Sequence, residues 1–72
     1  MGERWVVVAA TLPVEASLMK GLLESAGIPV RLRGEAIGRL YGLNLGPLGE
    51  VEVLVPEGKA AQAREILEEH RG

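Results

Sequence analysis

Cysteine is absent from the 72 residues, and histidine occurs once, at position 70. The first absence excludes disulfides and thiolate metal sites. The second leaves His70 without companions for a metal cage, so neither a metal nor a cofactor is expected. Aromatic residues are nearly missing, with Trp5 and Tyr41 the whole supply. That is too few for a sheet that stacks nucleic-acid bases, and a net charge of −2 gives no general attraction to phosphate backbones or anionic lipid. Long apolar runs are lacking too. The stretch from Trp5 to Ala10 falls far short of the roughly 20 residues a membrane-spanning helix needs, and no basic region leads into a signal-type core at the N-terminus. The chain reads as cytoplasmic, with no nucleic acid and no membrane as partner.

What is present is a single domain, residues 1–72, organised around one stretch. Gly49 to Pro56 alternates Val51, Val53 and Val55 with Glu50, Glu52 and Leu54. A pleated strand throws successive side chains to opposite faces, so one face is wholly valine. Upstream, Trp5 to Ala10 is a continuous apolar run, the pattern of a strand covered on both faces. A helix is expected from Pro13 to Ala26: proline suits the first turn, Glu15 meets the positive end of the dipole, and the cap falls at Thr11 or Leu12. Its core stripe would be Val14, Leu18, Met19, Leu22, Leu23 and Ala26. Gly27 would close the helix in a Schellman motif with Ile28 returning to Leu23. Gly21, which costs the helix about 1 kcal/mol relative to alanine, is read as permitting close approach to the sheet.

Pro29 to Gly34 places Val30 and Leu32 on one face and Arg31 and Arg33 on the other, as suits an edge strand. Residues 34–49 carry five glycines, at 34, 38, 42, 46 and 49, too many for a regular interior. Ile37, Leu40, Tyr41, Leu43, Leu45 and Leu48 make the segment too apolar for an idle linker. A shaped loop folding back through Ile37, Leu40, Tyr41 and Leu43 is expected. A second helix from Lys59 to His70 follows, with Ala60, Ala63, Ile66 and Leu67 inward.

A right-handed crossover makes the first two strands parallel, and the third then fills the gap between them in antiparallel sense. The predicted fold is an α+β two-layer sandwich of ferredoxin-like character, βαββα, with sheet order 1-3-2 and both helices on the valine face. Charge matching sets Arg33 opposite Glu50 and Arg31 opposite Glu52, with Leu32 opposite Val51 and Val30 opposite Val53. At 72 residues the stability margin is thin. A first strand apolar on both faces and open at its outer edge therefore predicts a symmetric homodimer through that strand, the sheet face around Leu54 and residues 40–48.

Trp5-Val6-Val7-Val8, Glu15-Ala16, the run from Gly21 to Val30, the Gly-rich middle, Val51 to Pro56 and Ala63-Arg64-Glu65-Ile66-Leu67 together resemble a bacterial domain-of-unknown-function family. Its members are labelled putative prokaryotic signal-transducing proteins. The resemblance spans nearly the whole chain and implies a fold related to the PII (GlnB-like) regulators. It brings no catalytic or ligand residue. By analogy with that class, Tyr41 is a candidate modification site.

No catalytic constellation stands out. Ser17 and Ser25 belong to the first helix and His70 to the end of the second, with no nucleophile elbow joining them. Glu50 and Glu52 could form a carboxylate pair, but Arg33 and Arg31 are their expected partners. The Gly-rich segment lacks both dinucleotide and Walker fingerprints. Arg39, with Arg31 and Arg33 at the loop's base, could form a modest anion site; the competing reading is a cover loop with surface arginines. The function inferred is a non-enzymatic signal-transducing or regulatory binding module. It would use the loop 34–49, with Arg31, Arg33, Arg39 and Tyr41 contacting an unidentified protein or a small anionic ligand. The alternative is a structural self-association domain with no small-molecule ligand.

Overall fold

The computed structural model describes residues 2–34 and 50–70. Along the chain lie β1 (Trp5–Thr11), α1 (Pro13–Ser25), β2 (Arg31–Arg33), β3 (Val51–Pro56), a 3₁₀ turn (Glu57–Lys59) and α2 (Ala60–Glu69). The three strands form one antiparallel sheet in the order β1-β3-β2. The α+β, ferredoxin-like arrangement expected from the strand pattern is the arrangement found. The Ile37–Leu43 fold-back falls outside the described residues.

β3 is central, and its alternation works as the pleat requires. Val51, Val53 and Val55 are at most 1% exposed and share a core with Ala16 and Leu23 of α1, Ile28, and Ala60 and Ala63 of α2. Val6, Val8, Ala9, Met19, Val30, Leu32, Ile66 and Leu67 pack around that centre half-buried.

α1 begins at Leu12 without a side-chain cap; the Thr11 hydroxyl instead donates to Glu15 Oε1 at 2.7 Å. It ends as a Schellman motif. Gly27 takes φ 86°, its N–H reaches the Glu24 carbonyl at 2.9 Å, and the Ile28 N–H reaches Leu23 at 3.0 Å. Ile28 is thereby fixed in the core.

Four expectations are corrected. The β2–β3 register is displaced by two residues: Arg31 lies opposite Leu54, Leu32 opposite Val53 and Arg33 opposite Glu52. A slip of two keeps every side chain on its face. Charge alternation alone could not choose between the registers. β1 is not an unbroken strand covered on both faces. Its pairing with β3 shifts between Val7 and Ala9, so Val8 and Ala9 both pack against the core while Val7, 37% exposed, faces outward.

The core stripe of α1 is narrower than its apolar content. Ala16 and Leu23 are buried and Met19 is half-buried, whereas Val14, Leu18 and Ala26 are exposed. At 3.6 residues per turn, turning Ala16 to the sheet puts Val14 and Leu18 about 160° away from it. Gly21 does not mediate close packing either. It is exposed, and a Cβ built on it meets no atom within 4 Å.

Gly34 does serve a close approach. Its φ is 153°, and a Cβ there would stand 2.8 Å from the Glu50 carbonyl oxygen and 3.2 Å from Val51 Cα. Both obstacles are backbone and cannot swing aside. Gly34→Ala should therefore lower stability by roughly 1 to 3 kcal/mol, read as a reduced urea midpoint with an unchanged slope. An unaltered midpoint would contradict the contact.

Candidate ligand-binding face of the sheet

Among the described residues, the helices cover one side of the sheet and leave the other to a short run of side chains. Strand parity places Trp5, Val7 and Ala10 of β1, Glu52, Leu54 and Pro56 of β3, and Arg31 and Arg33 of β2 on this second face. Leu54 at its centre is only 6% exposed. Arg31, directly opposite Leu54, reaches diagonally over β3, and its Cζ sits 4.1 Å from the centroid of the Trp5 ring.

That stacking contributes about 0.5 to 1 kcal/mol at an exposed site. A guanidinium presents several N–H donors in a fork that suits a carboxylate or phosphate. Arg33, two residues along, donates from Nε to Glu52 Oε1 at 2.7 Å. Arg31 has no acidic partner within ion-pair distance among the described residues. Trp5, Arg31, Leu32, Arg33 and Leu54 together line a shallow cleft of about 270 Å³, a little below the usual small-molecule pocket. A larger groove of about 900 Å³ lies on the helix side, with Val8, Ala9, Leu18, Met19, Leu22 and Leu67 as apolar lining. Neither Arg31 nor Arg33 is there.

Of the four expected contact residues, Arg31 and Arg33 are brought together on one face, and Arg39 and Tyr41 lie outside the described residues. Trp5 was missed as a site residue. Only the observed register sets Arg31 where it can reach that ring, and the register expected from charge matching paired Arg31 with Glu52 instead. The groups weighed for catalysis remain apart. The Ser25 hydroxyl donates to the Leu22 carbonyl at 2.9 Å. His70 Nδ1 lies 3.1 Å from the Ile66 carbonyl, and Ser17 sits exposed on α1. Among the described residues no three His, Cys, Asp or Glu side chains gather as a metal site, and no helix is long and apolar enough to cross a membrane.

A family model described as "Putative prokaryotic signal transducing protein" matches residues 6–71. The chain belongs to that family. The description points to a regulatory role and names no reaction. No curated protein and no solved structure matches the chain significantly.

The Arg33–Glu52 pair is largely solvated, with side chains 63% and 39% exposed. A double-mutant cycle of Arg33→Ala and Glu52→Ala should give a coupling of about 0.2 to 1 kcal/mol that shrinks as salt is raised. A coupling well above that, insensitive to salt, would mean the pair is shielded from solvent.

Proposed function

We propose that this member of the signal-transducing family is a non-enzymatic regulatory binding module whose uncovered sheet face reads an anionic group, a carboxylate or phosphate on a small ligand or protein. The observation that carries the reading is the Arg31 guanidinium held over the Trp5 ring, with Arg33 on the same face. A cation already positioned by stacking loses less side-chain freedom when it binds, and an unpaired one need not first break an ion pair. The dispersal of Ser17, Ser25 and His70 supports a module that binds without reacting. The Gly-rich segment leaves the sheet at Gly34, next to Arg33, and this adjacency supports its taking part in the same contact through Arg39 and Tyr41.

The site is shallow, so the affinity expected for a free anion is weak, in the micromolar to millimolar range or about −8 to −4 kcal/mol. Trp5 is the single tryptophan and reports directly on Arg31. Titration with inorganic phosphate, a nucleoside triphosphate and citrate should change its fluorescence saturably for at least one of them. The midpoint should rise with salt, and Arg31→Ala should abolish the response. Silence towards all three, or an equal response from Arg31→Ala, would overturn the proposal.

A further inference from the structure

α1 carries a second surface that the other described elements do not use. Val14, Leu18 and Leu22 recur at intervals of four and form a ridge along the helix. Val14 is 71% exposed, Leu18 68% and Leu22 partly so. Leu12, 57% exposed, extends the apolar surface at the N-terminal end. Beside the ridge runs a parallel row of small exposed residues, Ser17, Gly21 and Ser25. The charged pair of this helix, Lys20 and Glu24 at 3.3 Å, points another way. The other flank of the ridge is the 900 Å³ groove between the helices, where Glu15, Arg64, Glu68 and His70 supply the polar lining.

From this arrangement we infer that α1 is the contact of a two-fold symmetric homodimer, in which the Val14–Leu18–Leu22 ridge of each copy packs against the α1 surface of the other. The occupant is a helix, because an i, i+4, i+8 ridge matches the groove between such ridges on another helix crossing at about −50°. It is a second copy of this helix, because ridge and small-residue row stand side by side on one exposed surface. A two-fold axis near Leu18 and Gly21 then presents each copy's ridge to the other's shallow row, and one patch serves both subunits. Gly21 gains a reason that the monomer does not provide. It weakens α1 and touches nothing, yet a bare backbone at that point lets a neighbouring helix come close.

The ridge meets part of the area that a dimer needs, and the groove walls beside it must supply the rest. A standard interface takes about 800 Å² from each partner, roughly one-sixth of the 4813 Å² the chain exposes. The ridge with Leu12 supplies an apolar centre of the few-hundred-Å² size typical of docking surfaces. The groove walls supply the polar rim. This contact differs from the one expected from sequence, which ran through β1, the sheet face around Leu54 and residues 40–48. It leaves the Trp5–Arg31 side of the sheet free and does not depend on the anion-binding proposal.

Sedimentation velocity of the whole chain at about 100 µM, where a micromolar Kd fills the dimer, should give twice the 7.7 kDa chain mass. Leu18→Glu should restore the single-chain mass, as should Gly21→Leu. In the monomer, a Cβ at the exposed position 21 meets no atom within 4 Å and leucine raises helix propensity, so a loss of dimer in a variant that circular dichroism shows folded reports on the contact. Circular dichroism should show both variants folded. Should glutamate at 18 disturb the helix, Val14→Lys gives the same readout from a position 71% exposed. Arg31→Ala should remain dimeric. A wild-type chain of 7.7 kDa at this concentration, or a dimer that survives Leu18→Glu and Gly21→Leu, would overturn the inference.

Discussion

The structure depends on the position of one six-residue strand. β3 has a hydrogen-bonded neighbour on each side, and its valine face lies under both helices, so it is enclosed in three directions while every other element is enclosed in fewer. In a chain this short, burial on that scale is available to one strand only. The remaining elements are placed by what they add to it. α1 contributes Ala16 and Leu23, α2 contributes Ala60 and Ala63, and in each helix small residues let the backbone settle close to the sheet. Larger side chains at Ala16, Ala60 and Ala63 would lift the layer and thin the contact around Val53.

Because the helix layer is only one helix deep, no other described element covers the side of α1 away from the sheet. Val14 and Leu18 are exposed for that reason. The sheet's second face is handled differently. A long aromatic and a long cation lean across β3, and the apolar stems of such side chains shelter a central leucine while their polar ends remain in water. Leu54 is buried, and among the described residues no second layer lies above it. The molecule thus offers two surfaces of opposite character, one cationic over an aromatic ring and one aliphatic along a helix.

Strand and helix identity, sheet order and the Gly27 helix stop were legible in the sequence because each follows from a local signal: the period of two at Val51 to Val55, the Gly-Ile-Pro run after Ala26, and the handedness of the first crossover. What was not legible depends on which of several equivalent choices tertiary packing makes. Registers two residues apart present the same faces, so pairing Arg31 and Arg33 by charge selected the wrong one. An apolar helix stripe broader than its sheet contact does not say which edge is left over, and Ala16 outcompeted Leu18 for the core by being small. The bulge between Val7 and Ala9 left no mark in a run of valines and alanines. The Arg31–Trp5 contact was hidden for the same reason as the register, since it joins residues on strands that never touch each other.

The close meeting of Gly34 with Glu50 and Val51 bears on how the domain can change over time. The chain departs from the sheet and rejoins it at a single point, so the spacing of the two strand ends is set there by backbone contact. Doubling an insert between them costs only about 0.6 kcal/mol in closure entropy. Variation can therefore accumulate between these two fixed ends, and new specificity can be acquired there without renegotiating the core. The one part of the arrangement that must stay constant is the glycine that lets the two ends touch.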